Sequence, residues 1–194
     1  MKKIGRRAFL GAAVALSGGG AVAQKTGANG LAEGGPAGSE GGRFLPPENR
    51  PAAPKAVLAY DAIAFLEKEI PHGKTPYGER YRVPIVGGRA EGPDIKARIL
   101  PGGVDWQLIR ADGYLVIEAD YFMVTDDGAP IHVVNRGLWH SATNDWPADY
   151  AVTTPVFEAP VGKYDWLNRY IFTGTVAPGP DQPLSVRLAV YKLV

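Results

Sequence analysis

The chain has 194 residues, 45% of them hydrophobic, enough for one folded domain plus an extension. Its net charge of +1 hides an asymmetry: residues 1–23 hold four basic residues and no acid, leaving 17 basic against 20 acidic residues, a net −3, in the remainder. A mildly acidic body argues against nucleic acid as partner, and the absence of cysteine excludes disulfides, thiolate metal sites and cysteine nucleophiles.

Met1–Gln24 opens on Lys2, Lys3, Arg6 and Arg7, continues through a short apolar run and ends on Ala21-Val22-Ala23. This is the order of a signal peptide, expected over 1–23, and it is too short for a membrane anchor. The Arg6-Arg7 pair before Ala8-Phe9-Leu10 marks the twin-arginine variety, so export to the periplasm is expected. No other run reaches the ~20 apolar residues of a membrane span. Residues 24–54 are rich in Gly, Ala and Pro with few large apolar groups; such a segment cannot offset its ordering entropy and reads as a disordered tether. The folded domain is then 55–194.

Residues 55–70 are ambiguous: alanine favours helix in the first half, alternation favours a strand over Ile63–Ile70. Pro71 to Gly78 reads as a loop, Arg80–Val86 as a strand stopped by Gly87-Gly88, and Ile95–Leu100 as another. From Leu100 to Gly137, three apolar-rich runs are separated by Asp112-Gly113 and Asp127-Gly128. Asp-Gly between such runs is a strong hairpin signal, and it predicts a three-stranded antiparallel meander. In its middle strand Leu115, Ile117, Ala119, Tyr121 and Met123 share one face. The opposite face mixes Glu118 and Asp120 with Tyr114, Val116 and Phe122, a candidate surface for self-association. On the third strand Ile131, Val133 and Asn135 alternate with His132, Val134 and Arg136. Leu138–Tyr150, with two tryptophans and no periodicity, reads as a lid-like loop. Thr153–Glu158, Trp166–Thr175 and Leu184–Val194 are the remaining strands. Eight to ten short strands without a convincing amphipathic helix predict a single all-β antiparallel barrel or sandwich.

Five ordered segments, GKTPYGERYRVPIVGGRAEGP, LPGGVDWQLIRADG, TDDGAPIHVVNRG, TPVFEAP and YDWLNRYIFTG, resemble the domain-of-unknown-function family 3237, over about Leu58 to Val194. The resemblance implies a small antiparallel β-barrel, similar to lipocalin-like and allene-oxide-cyclase-like barrels, with a pocket at its mouth. It further implies cofactor-free cyclisation or lyase chemistry on small aromatic or polyketide-type molecules. The chain departs from the family pattern in its export signal and tether, in His132 where an aromatic is common, and in the tryptophan-rich loop 138–150.

The candidate catalytic residues are Asp105, Tyr121, Asn135 and Glu158. Asp105, beside Trp106, would have its pKa raised by desolvation and suit general acid–base work; equally, it would accept backbone N–H bonds at a turn. Tyr121 on the apolar face is either core with one hydrogen bond or a proton donor to a substrate oxygen. Asn135 offers amide donors for a developing oxyanion, or satisfies a neighbouring strand. Glu158 is the candidate second carboxylate beside Asp105. Trp106, Arg136, Trp166 and Asn168 are candidate substrate-binding residues, Arg136 alternatively pairing with Glu158 or Asp120. Trp166 and Asn168 would share one strand face. His72, His132 and His140 lack HxH or HxxxH spacing, so no metal site is expected, and no organic cofactor motif occurs. The expected function is an exported acid–base lyase, isomerase or cyclase acting on a small hydrophobic, aromatic substrate. The alternative is a lipocalin-like carrier of such a ligand.

Overall fold

The computed structural model describes residues 47–181 and 184–194. The expected signal peptide and most of the expected tether lie outside the described residues; Pro47–Asn49 forms a single 3-10 turn. From Ala56 onward the chain is almost entirely strand: β1 (Ala56–Leu66), β2 (Ile70–Thr75), β3 (Gly78–Glu91), β4 (Lys96–Ile99), β5 (Gly103–Ile109), β6 (Leu115–Thr125), β7 (Pro130–His140), β8 (Tyr150–Glu158), β9 (Phe172–Asp181) and β10 (Leu184–Leu193). All pair antiparallel in one sheet, and β1 meets both β10 and β3, which closes the sheet into a barrel. The ring has eight positions, because β4 and β5 share one place between β3 and β6 while β2 lies outside on β3. The expected barrel is therefore the fold.

Closure corrects three sequence expectations near the start of the domain. The alanine-rich Ala56–Ile63 is strand, not a helical turn, because it pairs with β10 and, from Asp61 onward, with β3 as well, and that pairing overrides alanine's helix propensity. Its Ala62 and Ala64 are the small inward residues where neighbouring walls converge. Ile70–Thr75 is strand β2 rather than loop. Gly87-Gly88 does not stop β3, which continues to Glu91 through a bulge opposite Phe65 and Leu66. Gly88 has φ +146°, and a Cβ there would overlap the Ile63 carbonyl, so only glycine lets β3 bend across β1 at this point.

The meander is present, built from β5, β6 and β7. Its turns differ in detail from the expected two-residue hairpins. Gly113 N–H donates to Arg110 O and Gly128 N–H to Thr125 O, with positive φ at the glycines alone, the geometry of a type I turn closed by a glycine bulge. The shared face of β6 is buried from Leu115 to Thr125, as the alternation predicts. Trp166–Thr175 is not one strand: Asp165–Asn168 is a 3-10 turn, and strand begins only at Phe172. Before it, β8 meets β9 at only two residue pairs, Val152–Thr175 and Thr153–Gly174. At the opposite flank of the wall, the N–H of Lys55 and that of Val194 each donate to the other's carbonyl, at 2.7 and 2.9 Å.

The segment between β8 and β9 is fixed from two sides. Asn168 accepts from the Ala159 N–H at 2.8 Å and donates to its carbonyl at 2.9 Å. Asp127, in the β6–β7 turn, accepts from Thr125 Oγ1, Tyr164 Oη and Lys163 Nζ at 2.5, 2.8 and 2.9 Å. These bonds hold its carboxyl well below the usual carboxylate range, led by the Thr125 hydroxyl. A depressed pKa adds stability that is present above the unfolded value, about 3.8, and is lost as pH falls below it. Urea unfolding of Asp127→Asn should accordingly show a weaker loss of stability between pH 4 and 2 than the parent; an unchanged acid limb would refute the clasp.

Candidate functional site

The closed wall sorts side chains by the two-residue pleat, and the interior contains two apolar clusters. The larger includes Tyr60, Val83, Ile99, Tyr121, Met123, Ile131, Val133, Phe157 and Phe172. The smaller comprises Leu115, Ile117 and Trp139, with Trp146 edge-on to Trp139 at 5.6 Å. Of the seven buried polar or charged residues among the described residues, four lie on β5, β7 and β8: Asp105, Gln107, Asn135 and Thr153. They form a belt across β5 to β8. Asp105 is in register with Ala119, and Ala119 with Asn135, so the two polar side chains flank a methyl group on the intervening strand. One row along, Ile117 is in register with Gly137 and Gly137 with Thr153. At ~4.8 Å between strands, the Asp105 and Asn135 backbones stand roughly 10 Å apart along one wall, about the reach of one aromatic ring with its substituents.

Asp105 is 6% exposed. Its Oδ2 accepts from Gln107 Nε2 at 2.6 Å and its Oδ1 from the Glu118 backbone N–H at 3.0 Å. The latter bond replaces a missing rung: the β5–β6 pairing runs through Asp105–Ala119 and resumes only at Leu108–Val116. Burial pushes the carboxyl up to about 6, with Glu118 adding a smaller push and the two hydrogen bonds restraining it. Asp105 thus satisfies a backbone N–H, and burial raises its carboxyl to about 6. Tyr121 is buried on the same face, and burial pushes its hydroxyl up to about 12 despite a restraining influence from Tyr60. Tyr60 is raised too, first by burial and then by Tyr121. The two hydroxyls approach closely enough to influence each other, yet Tyr60 Oη makes no hydrogen bond of good geometry.

Five expected site residues lie elsewhere. Glu158 is on the outer wall, its side chain 88% exposed and 3.9 Å from His132, so it does not stand beside Asp105. The pleat that turns Phe157 inward turns Glu158 out. Trp106, next to Asp105, faces outward against His72, and the interior rather than this indole desolvates the carboxylate. Arg136 is also outside and pairs with Glu118 through Nε and Nη2 at 3.0 and 2.7 Å, not with Glu158 or Asp120. Asp120 takes His132 instead, at 2.7 Å. Trp166 and Asn168 share a turn rather than a strand face; Trp166 packs on Phe172, and Asn168 is the clasp on Ala159. Sequence reasoning missed Gln107 and Thr153, although counting by two from Asp105, and back from Phe157 through Pro155, puts both on the inner face.

What these observations define is a small closed antiparallel barrel with a buried, titratable polar belt. The family model described as "Protein of unknown function (DUF3237)" matches residues 54–193, and the chain belongs to this family. It is 36% identical over 121 residues to the UPF0311 protein RPA1785 of Rhodopseudomonas palustris, covering 57% of this chain and 79% of that protein. It is 33% identical over 127 residues to a UPF0311 protein of Clostridium acetobutylicum, covering 60% and 78%. Among solved structures it is similar to a beta-barrel like protein of Acinetobacter baumannii AYE, with TM-score 0.67 and 29% identity over 75% of this chain and 99% of the other. A structure described as an enzyme from Penicillium herquei shares the fold at TM-score 0.60 and 21% identity, over 75% of this chain and 98% of that one. No helix among the described residues is long and apolar enough to cross a membrane.

The raised pKa of Asp105 has a stability signature. Its folded value, about 6, exceeds the unfolded 3.8, so the folded state holds the proton more tightly and stability falls as pH rises from about 4 to 6, then levels. The full effect is about 3 kcal/mol. Asp105→Asn should abolish this slope in urea titrations between pH 4 and 7, and a slope that persists in the variant would assign it to another group.

Proposed function

We propose that the protein is an exported, cofactor-independent acid–base enzyme, of the lyase, isomerase or cyclase type, acting on a small aromatic substrate inside the barrel. The observation that carries this reading is the Asp105 carboxyl, buried with a pKa near 6 in the same inner row as Asn135. A carboxylate with that affinity removes a proton from carbon at neutral pH more readily than an exposed one, and returns it as readily. With Glu158 on the outer wall, Asp105 performs both transfers. The Tyr121 hydroxyl, protonated up to about pH 12, and the Asn135 amide stabilise the oxygen on which charge collects when the proton leaves. The likeness to a barrel described as an enzyme is one of fold and supports the capacity of this architecture for catalysis.

Exchange of α-hydrogens from enolisable aromatic ketones and lactones in D2O, followed by NMR, tests the reading without knowledge of the product. The exchange rate should rise with pH to a plateau above about 6, and Asp105→Asn should lower it by about 100-fold or more. Glu158→Gln should leave it unchanged. A panel that binds equally well to the parent and to Asp105→Asn, with no exchange by either, would instead identify a carrier.

Export is the second part of the proposal and rests on Arg6-Arg7 ahead of the apolar run. Replacing both arginines by lysine in the full chain should hold the protein in the cytoplasmic fraction of a bacterial host with a twin-arginine pathway. Undiminished periplasmic recovery would count against that route.

A further inference from the structure

The outer wall of β3, β1 and β10 carries charges that the interior chemistry does not use. On β1, Ala62 and Ala64 are buried, so the pleat turns Asp61 and Ile63 outward. Strand register sets their neighbours. Ile63 lies between Arg89 of β3 and Arg187 of β10, and Asp61 lies between Glu91 of β3 and Ala189 of β10. Charge is therefore sorted by row: two guanidiniums flank Ile63, and one row along, two carboxylates stand directly opposite each other. Arg89 also has Arg98 opposite it on β4. Like charges directly opposite across a strand pair destabilise it, whereas the same charges placed alternately would attract. Among the described residues, the side chains of Arg89, Arg187 and Asp61 make no ion pair or hydrogen bond. Glu91 approaches Lys96 at 3.9 Å, with both side chains exposed.

Asp61, Arg89, Glu91 and Arg187 line one groove of about 450 Å³, with Ile63 between the arginines. On its β9–β10 side the groove meets only the small side chains Ala177, Ala189 and Thr175, which leaves the space beside the charges open. At ~4.8 Å between strands, the Arg89 and Arg187 backbones stand roughly 10 Å apart. Two forked guanidiniums approaching from opposite sides suit an anion with more than the two oxygens of a carboxylate. A phosphate monoester, doubly charged and with three free oxygens, matches both forks; a diester, with one charge and two free oxygens, matches one. The two carboxylates lie about 7 Å farther along the strands and only accept, so their complement is an ammonium, which only donates. A simple anion would be attracted by one row and repelled by the other, and so would a simple cation.

We propose that this outer groove binds a zwitterionic phosphate monoester of a short amino alcohol, of the phosphoethanolamine type. Its phosphate sits over Ile63 between Arg89 and Arg187, and its ammonium donates to Asp61 and Glu91. The site lies on the opposite side of the wall from the Asp105 belt and does not depend on the enzyme reading.

Calorimetry on the full chain at low ionic strength and about pH 7.5, where a phosphate monoester is doubly charged, tests it with three probes. These are O-phosphoethanolamine, ethyl phosphate without the ammonium, and ethylamine without the phosphate. The parent should bind O-phosphoethanolamine about tenfold or more tightly than either half. Arg187→Gln, with an unchanged melting temperature, should weaken that binding by about tenfold. Asp61→Asn should erase the preference over ethyl phosphate and leave ethyl phosphate bound as well as before or better, because a repelling carboxylate has gone. This opposite response of two ligands to one substitution is not what a merely destabilised wall would give. Equal affinity for the three probes, no binding at millimolar concentration, or a preference that survives both substitutions would overturn the proposal. So would binding to phosphatidylethanolamine vesicles without affinity for the free monoester, which would assign the groove to a diester headgroup.

Discussion

Pairing of β1 with β3 is the constraint from which the rest of the molecule follows. Strand β1 already carries β10 on one side; by taking β3 on the other, it turns an open sheet into a closed ring, with β2 alone left outside it. Once the ring closes, every strand residue is either inside or outside, and the alternation of the sequence becomes a partition of chemistry. The glycine at 88 and the small residues Ala62, Ala64 and Ala90 permit that closure by letting two backbones approach. The raised pKa of Asp105 is a consequence, since the same carboxylate on an open sheet would keep its water.

The partition also explains which parts of the site were legible beforehand. Tyr121 and Asn135 sit in runs whose alternation is unbroken, so their inward direction could be read directly. Asp105 was legible as a perturbed carboxylate, but for the wrong reason: adjacent strand residues point apart, so Trp106 cannot desolvate it. The same rule separates Phe157 from Glu158, and applying it along TPVFE would have put Glu158 outside. Where alternation gives way to a turn, as in Asp165–Asn168, pattern alone offered no guide. The short DWLN segment is compatible with strand by composition, and the bonds from Leu167 N–H to Tyr164 O and from Arg169 N–H to Trp166 O make it a turn.

The inner belt makes opposing demands on the chain. Asp105 fills a missing rung of the β5–β6 ladder, so the fold has a use for it irrespective of any ligand. Gln107 steadies it but, as a neutral amide, does not remove the penalty of burying its charge. On β7 and β8, Asn135, Trp139 and Thr153 keep polar atoms that serve no rung. A chain evolving for stability alone would replace these three with apolar groups of like shape, as the neighbouring Val133 and Ile131 show is compatible with β7.

The paired backbone bonds between Lys55 and Val194 carry a consequence for how the domain could be re-engineered. Lys55 and Val194, at the two ends of the strand series, already behave as adjoining rungs of one ladder, so the pairings of the ring do not depend on the order in which the strands are threaded. A short linker between those ends, with a new opening at the Asp112-Gly113 turn, would leave each pairing of the ring in place. The barrel is, in this sense, a circular object written linearly.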